Sequence, residues 1–384
     1  MSMRPQGHKT WVEISSSSLL ANLRKTRRFV DPVKVMCVIK SNAYGHGLLE
    51  VARVCEKDAD WFGVDSVIEA RALRQNRMIL PILILGYTPP ESVREIVEND
   101  ISFVVYSLKM LQDAARSAKV VKRPAKIHLK LETGLTRQGV DGEEFERMCA
   151  FLQKHLSLFV IEGVSMHFAN IEDSTNLSYT KKQLSCFQHL LRRLPAYGLK
   201  PELIHTAASA AAYLVPDTRY DLIRLGIMLY GIWPSNKTYE SFKKTNNAHS
   251  LRPVLSWKTI VAQVKRVPAG TPISYGMTER VERDSTIAVL PVGYWDGYDR
   301  QAMSRTGEVL IRGKRCKVLG RVCMNMCMVD VTDLPVVKVG DEVVLLGSQK
   351  GERISVEELA QRGDTIGYEI VSRINPLIPR IVVK

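Results

Sequence analysis

The sequence lacks several patterns that would each assign it to a broad class of protein. It has no apolar run of about 18 residues, so no segment predicts a transmembrane helix. Met1–Lys9 contains no apolar stretch like the core of a secretory signal. No G-x-G-x-x-G follows the first predicted strand, which argues against a dinucleotide-binding fold.

Cysteine is scarce and dispersed, with 7 residues and no C-x-x-C pair. Cys323 and Cys327 are close, but no histidine pair or second cysteine pair completes a zinc pattern. We therefore expect no metal site. An odd number of scattered cysteines, in a chain without a recognisable signal, predicts reduced thiols and a cytoplasmic location.

The formal net charge of +14 raises the question of nucleic-acid binding. The basic cluster at 24–28 has apolar neighbours at helical spacing, which is typical of the solvated face of an amphipathic helix. No helix-turn-helix, RNP or zinc-finger pattern accompanies it, so we do not expect nucleic acid as a partner. A basic surface would instead attract anionic cofactors and carboxylates.

Short apolar runs alternate with amphipathic stretches through the first 230 or so residues. Eight such runs predict an α/β fold, a (β/α)8 TIM-type barrel, with an open doubly wound sheet as the alternative. The runs are Val35–Ile39, Trp61–Val64, Pro81–Leu85, Ile101–Val105, Ile127–Leu131, Phe159–Val164, Leu203–Ile204 and Leu222–Ile227.

The residue pattern changes after a polar segment at 234–253, which we interpret as a linker. Short β-type runs separated by glycine and proline then predict a smaller, mostly β domain. We expect Trp11–Ile14 to join that domain as a strand. The predicted domains are 1–14 (the joining strand), 15–233 (the barrel), 234–253 (the linker) and 254–384 (the β-domain).

Lys40 ends the first predicted barrel strand, and other chemically useful residues follow later strands. Arg137 follows the fifth strand, His167 ends the sixth, Ser209 follows the seventh and Arg224 lies at the eighth. Barrel active sites form at these carboxyl ends, so we expect the five side chains to converge. An isolated lysine at a strand end more often reaches water, but in a site its amine can form a Schiff base with pyridoxal phosphate.

Nine motifs in this chain resemble those of bacterial alanine racemases, in family order and over nearly the whole length. The first surrounds the lysine that carries the cofactor in that family. The motifs are 38–47, 129–139, 166–170, 205–211, 224–231, 273–276, 292–294, 320–324 and 366–369.

The resemblance implies a role for each matching residue. Lys40 would carry pyridoxal 5'-phosphate and act as one base, with Tyr275 as the base on the opposite face of the substrate. Arg224 would face the pyridine nitrogen, with His167 packed nearby. The groups implied to hold the phosphate are Tyr44, Ser209, Tyr368 and the backbone N–H groups of Gly226 and Ile227.

The resemblance also implies a substrate site and an assembly. Arg137 and the backbone of Met324 would bind the substrate carboxylate, and Lys130 would position Arg137 when carbamylated. Tyr275, Met324 and the supporting Tyr294 fall in the predicted β-domain. The family pattern therefore implies a head-to-tail homodimer with shared active sites. The implied activity is interconversion of L- and D-alanine, which would supply D-alanine for peptidoglycan.

Five positions depart from the family pattern, although none removes an expected base or cofactor contact. They are Asn325 for Asp, Ala208 for Asn, Met166 for Thr, and Glu132 and Leu135 for the Asp and Met of D-T-G-M. Retention of Tyr368 favours a tight pocket and alanine as substrate, with serine or another small amino acid as the alternative.

Two other classes stay open from sequence alone. A pyridoxal phosphate-dependent amino-acid decarboxylase of the same architecture would need a glycine-rich phosphate loop and a late cysteine–aspartate pair, which are missing. A non-catalytic pyridoxal phosphate-binding protein would not need the β-domain that carries Tyr275.

Overall fold

The structure is a computed structural model that describes residues 7–173, 175–245 and 250–384. The chain forms two compact units. The β unit comprises Met1–Leu19, Tyr44–Glu50 and Arg252–Lys384, and the barrel unit comprises Leu20–Ala43 and Val51–Leu251. Residues 1–6 of the predicted joining segment and residues 246–249 of the predicted linker lie outside the described residues. The predicted domain boundaries stay predictions.

Eight parallel strands form the sheet of the barrel unit, in the order β8-β7-β6-β5-β4-β3-β2-β9. A bridge between Ala208 and Arg224 joins the segment after β8 to β9, which brings the two ends of the sheet together. The predicted barrel is confirmed and the open sheet is wrong. The strands, numbered along the chain, are β1 Thr10–Ser15, β2 Lys34–Val38, β3 Trp61–Val64, β4 Ile82–Ile84, β5 Ser102–Val105, β6 Ala125–Lys130, β7 Phe159–Ser165, β8 Leu203–His205 and β9 Leu222–Leu225.

Amphipathic helices connect the strands, with one face buried. In α5 the buried side chains recur at helical spacing, and the Ser107 hydroxyl accepts the Met110 N–H at its start (3.3 Å). The helices are α1 Ser16–Val30, α2 Leu48–Cys55, α3 Val67–Gln75, α4 Val93–Glu98, α5 Leu108–Val121, α6 Gly142–Lys154, α7 Ser178–Leu191, α8 Ser209–Leu214 and α9 Asn236–Thr245. Short 3-10 turns lie at Pro90–Ser92, Leu156–Leu158, Leu194–Tyr197, Pro216–Thr218 and Ile227–Tyr230.

Helix α9 lies inside the segment 234–253 that composition predicts to be a linker. Its sequence is polar, but Phe242 is buried and packs against Tyr213 and Trp233, with ring centroids 5.2 and 5.5 Å away. Burial of one aromatic ring therefore holds a helix that composition does not predict.

The β unit is built on strands that include the N-terminal one. β1 pairs antiparallel with β10 and parallel with β20, so it is an interior strand. The β-type run Leu255–Val264 is divided between β10 and β11. The strands are β10 Leu255–Ile260, β11 Gln263–Val267, β12 Pro272–Ile273, β13 Glu279–Arg280, β14 Ser285–Leu290, β15 Glu308–Ile311, β16 Lys314–Leu319, β17 Cys327–Asp330, β18 Glu342–Gln349, β19 Glu352–Ile354 and β20 Arg380–Val383.

In its described residues the β unit also contains the helices α10 Arg300–Met303, α11 Val356–Arg362 and α12 Gly367–Ser372, with 3-10 turns at Tyr275–Met277 and Tyr294–Asp296. All 7 cysteines are free thiols. Among the described residues, no helix combines the length and apolar character needed to cross a membrane.

The interior position of β1 predicts unequal effects of truncating two side chains that pair across the sheet. Ile14 on β1 is fully buried, whereas its partner Val382 on β20 is 43% exposed. Ile14→Ala should lower the free energy of unfolding by about 2–5 kcal/mol, because it leaves a cavity. Val382→Ala should change it by about 0.5 kcal/mol. Urea unfolding of both variants measures the difference, and equal losses would contradict an interior β1.

Candidate active site

Lys40 opens a left-handed turn directly after the first barrel strand. Ser41, Asn42 and Ala43 have φ of 52–55° and ψ of 45–52°, and Tyr44 has φ of 54°. For residues other than glycine this conformation costs roughly 1–2 kcal/mol each. Such strain is found where the surrounding structure enforces it, commonly at functional sites. Residue types alone do not predict this turn, since only Asn42 is of a type that tolerates the left-handed conformation well.

A carboxylate beside the turn holds its backbone. Glu69, in the first turn of α3, accepts the Asn42 N–H (3.1 Å) and the Asp65 N–H (2.8 Å). The Lys40 ammonium lies 3.4 Å from Asp65 Oδ1. These contacts fix the base of the Lys40 side chain at the carboxyl end of the barrel strands, as the sequence predicts for a site residue.

Arg224 is extensively hydrogen-bonded, and it is 5% exposed. Nη1 donates to His205 Nδ1 and to the His205 carbonyl, both at 2.8 Å. Nη2 donates to the carbonyls of Met166 (2.8 Å) and Thr206 (2.9 Å) and approaches His167 Nδ1 (3.2 Å). The Nε–H makes no hydrogen bond to the residues that the structure describes, so one donor of a fixed guanidinium is uncommitted.

A group of cations surrounds Arg224 at the barrel mouth. Burial, and after it the charge of Arg137, lowers the pKa of Arg224 to about 10. Burial, Arg224 and Arg137 together hold the pKa of Lys130 well below its ordinary value. The pKa of His167 is likewise far below normal, through burial first and then through Arg224, Lys130, Arg137 and Lys40. Lowered pKa values favour the neutral forms of Lys130 and His167, so the positive potential of the mouth comes from Arg224, Arg137 and Lys40, and it suits anionic ligands.

Arg137 is exposed on a closed loop after β6, bounded by a bridge between Leu131 and Val140. The Glu132 carboxylate accepts the N–H groups of the next three residues at 2.8, 2.5 and 2.8 Å, which organises the loop from within. The Tyr179 hydroxyl donates to the Gly134 carbonyl (2.7 Å) from α7. The sequence predicted Arg137 but not Tyr179, because nothing in a helical tyrosine indicates which loop it contacts.

Ser209 is the first residue of α8 and is 3% exposed. Its Oγ accepts the Gly226 N–H at 3.0 Å, which leaves the hydroxyl proton available for donation. Gly226, expected as a backbone donor to a phosphate, thus donates to Ser209 here. Ile227 follows Gly226 at the start of a 3-10 turn.

The β unit brings together the remaining predicted residues in two places. The rings of Tyr44 and Tyr368 lie 6.1 Å apart. At the second place the Tyr294 N–H donates to the Cys323 carbonyl (3.1 Å), next to Met324. A β-carbon at Gly293 would lie 2.1 Å from that carbonyl, which explains the glycine of the V-G-Y motif.

Tyr275 is connected to the segment of Cys323 and Met324 through the preceding residue. The Ser274 hydroxyl donates to the carbonyl of Arg321 (2.5 Å), two residues before Cys323. Tyr275 is 68% exposed, Met324 54% and Tyr294 42%. A set of large apolar side chains is therefore exposed on this part of the β unit.

Comparison with known proteins places the chain in a family. Residues 14–234 match the model of the alanine racemase N-terminal domain, and residues 254–382 match that of the C-terminal domain. The chain belongs to the alanine racemase family. It is 39% identical to the alanine racemase of Methanococcus maripaludis (97% of this chain, 98% of the relative) and 40% identical to that of Symbiobacterium thermophilum (98% and 97%).

Solved alanine racemases share the fold as well. The enzyme from the D-cycloserine producer Streptomyces lavendulae superposes with a TM-score of 0.92 at 32% identity, covering 100% of this chain and 98% of the other. An alanine racemase from Clostridium difficile gives 0.92 at 34% identity, covering 99% and 97%.

Two departures from the alanine racemase pattern have visible structural consequences. Ala208 precedes α8 without any side-chain cap, so the hydrogen bond that an asparagine could make there is missing. Met166 is fully buried and its sulfur accepts the Thr133 hydroxyl (3.5 Å). Its carbonyl still bonds Arg224, so this substitution leaves the arginine in place.

Three histidines of the barrel predict a pH dependence of stability. Burial is the largest cause of the lowered pKa of His128, His167 and His205. The unfolded chain therefore binds protons first as the pH falls through about 6.5, which favours unfolding. Each histidine should contribute up to about 1.4 kcal/mol per pH unit below that point.

Urea unfolding between about pH 7.5 and 5 measures this slope, above the range where most carboxylates titrate. His167→Gln should reduce the slope by about a third, because it removes one of the three groups. A free energy of unfolding that stays constant over this interval would contradict burial of neutral histidines.

Proposed function

We propose that this protein racemises alanine with pyridoxal 5'-phosphate as its cofactor. The observation that carries the proposal is the uncommitted Nε–H of Arg224, presented by a guanidinium whose Nη groups are all bonded to protein. A cation held in this way can donate one hydrogen bond to a ring nitrogen without giving up its proton. A ring nitrogen bound in this way would stay unprotonated, and Arg224 would thereby favour return of a proton to the carbon that it left.

The residues at the barrel mouth fit the charge and shape of this cofactor. Lys40 would hold its aldehyde carbon, and the cluster of cations would favour its phosphate. Hydroxyls of Ser209, Tyr44 and Tyr368 and the backbone of Gly226 and Ile227 would bind the phosphate oxygens. When bound, pyridoxal phosphate supplies the electron sink that makes the α-proton of an amino acid removable.

Lys40 and Tyr275 would each hold or return the α-proton, one on each face of the substrate. Arg137, with a planar fork of donors, would orient the substrate carboxylate, assisted by the backbone N–H of Met324. His167 packs beside Arg224, and Tyr294 supports the segment of Met324 through the Cys323 carbonyl.

Lys130 has the properties required for carbamylation. It is 8% exposed, and its lowered pKa favours the neutral amine, which is the form that reacts with carbon dioxide. A carbamate there would carry a negative charge beside two arginines, Arg137 and Arg224. That charge would position Arg137 for the substrate carboxylate.

Retained Tyr368 supports alanine over serine as the preferred substrate, since a bulky ring narrows the pocket. We further propose a cytoplasmic enzyme whose D-alanine enters peptidoglycan. A decarboxylase would require a phosphate loop of different composition, so it is not favoured.

Exposure of Tyr275 supports an assembly with shared sites. A base that is 68% exposed loses its proton to bulk water instead of returning it to substrate. Its apolar neighbours are also exposed: Met277 63%, Trp295 59%, Met324 54% and Met326 53%. Patches of this kind mark interfaces. We propose a head-to-tail homodimer in which this surface covers the barrel mouth of the other chain.

Tyr275→Phe tests the two-base proposal. The variant should lose racemisation by about 10²–10⁴-fold, the usual contribution of one general base. Exchange of the α-hydrogen with deuterated water should persist for one alanine enantiomer, through Lys40, and stop for the other. Tyr239→Phe, on α9, is the matched control and should behave as wild type. Exchange of both enantiomers at wild-type rates in Tyr275→Phe would contradict the role of Tyr275.

Complementation tests the shared sites separately from the chemistry. Lys40→Ala and Tyr275→Phe should each be inactive alone. After mixing with subunit exchange, about half of the dimers carry one intact and one doubly altered site, so about one-quarter of wild-type activity should return. Failure to recover any activity, with mixed dimers shown to form by mass spectrometry, would place both bases on the same chain.

A further inference from the structure

A chain of buried polar side chains runs through the barrel interior from Arg224 to Glu162. Arg224 Nη1 contacts His205 Nδ1 (2.8 Å), and His205 Nε2 contacts His128 Nδ1 (2.9 Å). His128 Nε2 lies 3.4 Å from Glu162 Oε2, which also accepts the Ser102 hydroxyl. Both histidines are fully buried, Glu162 is 8% exposed and Ser102 2%. With Ser102, these five residues come from five different barrel strands, so their contacts depend on the fold and not on local sequence.

The two ends of this chain force one direction on its hydrogen bonds. A guanidinium only donates, so His205 Nδ1 must accept and its Nε2 must carry the proton. His128 Nδ1 then accepts from His205, and His128 Nε2–H donates to Glu162. A carboxylate only accepts, so the far end requires the same tautomers as the near end. We name the four residues Arg224, His205, His128 and Glu162 the relay.

The backbone makes room for the relay. A β-carbon at Gly163 would lie 2.2 Å from His128 Nδ1, so only glycine allows the imidazole to reach His205. The pairing of β6 with β7 shifts between Ile127 and His128, which places His128 opposite Gly163. Trp61 packs edge-on against His128 at 5.5 Å between centroids. Substituting apolar side chains here would fill the barrel at lower desolvation cost, so the polar relay points to a functional requirement.

We relate this functional requirement for a polar relay to the charge of Arg224. Among the described residues Arg224 has no carboxylate within ion-pair distance, although it is almost fully buried. Burial opposes ionisation of Glu162, but hydrogen bonds from His128 and Ser102 outweigh it and lower the pKa of Glu162. The relay therefore joins a buried cation to a buried anion through two neutral, polarised imidazoles.

We propose that Glu162 and His128 are positioning residues that, through His205, fix the orientation and charge of Arg224. The effect on the reaction rests on the proposed function, whereas the hydrogen-bond order does not. Loss of Glu162 would free His128 and His205 to exchange tautomers. A proton on His205 Nδ1 would then oppose the Arg224 Nη1–H and displace the guanidinium.

Nitrogen-15 NMR of histidine-labelled, cofactor-free protein tests the order directly. In the wild type, His128 and His205 should each show a single Nε2–H tautomer at neutral pH. Glu162→Met, which removes the acceptor, should give mixed tautomers at both histidines. The control Glu146→Gln, which alters a carboxylate bonded to Tyr197 on an outer helix, should leave both spectra unchanged. A protonated Nδ1 on either wild-type histidine would overturn the proposal, whether or not any variant folds.

Kinetics test the consequence for alanine racemisation. Glu162→Gln keeps an acceptor but removes the charge, and it should lower kcat by about 10–100-fold, the usual effect of losing an orienting partner. KM should be unchanged, because the Arg137 loop is untouched. Glu162→Asp, which restores the charge, should recover part of kcat. Wild-type kcat in Glu162→Gln would overturn the role in positioning. A wild-type protein that does not racemise alanine would sink the proposed function, while the spectra would still decide the relay.

Discussion

The buried guanidinium of Arg224 is the constraint around which the barrel mouth is organised. A cation that is 5% exposed must have its donors satisfied, and the barrel supplies carbonyls from the ends of two strands and imidazoles from two histidines. Those acceptors engage both Nη groups, and the Nε–H makes no hydrogen bond to the described residues. Burial is the largest cause of the lowered pKa values of His167 and Lys130, and the charge of Arg224 lowers both pKa values further. Removing it would change the protonation of the whole site.

Strain and order at the mouth are maintained by carboxylates that do not contact the proposed ligands. Glu69 bonds the backbone of the left-handed turn after Lys40, and Glu132 bonds the loop that carries Arg137. Glu162, at the far end of the relay, is connected to Arg224 through His128 and His205. Three basic site residues are thus each held by a nearby acid through backbone or imidazole contacts. The guanidinium groups of Arg137 and Arg224 form no ion pair with a carboxylate among the described residues, whereas the Lys40 ammonium lies 3.4 Å from Asp65 Oδ1.

The sequence predicts the strands well because each barrel strand is a short apolar run buried on both faces. It also places Arg137, His167, Ser209 and Arg224 at strand ends, since the barrel topology follows from the alternation. The left-handed turn was not predictable, because Ser41, Ala43 and Tyr44 do not favour that conformation. Partners distant in sequence, such as Tyr179, His128 and Glu162, were also missed, since their roles arise only from packing.

The proposed dimer, in which the β-unit surface of one chain covers the barrel mouth of the other, accounts for the exposure of Tyr275 in the single chain. Family membership and the cations around Lys40 agree on an amino-acid racemase. Chiral analysis of L-alanine incubated with purified protein and pyridoxal phosphate, with L-serine in parallel, is the most direct measurement. We expect D-alanine to appear, and faster than D-serine. Absence of a D-product from either amino acid would contradict the account.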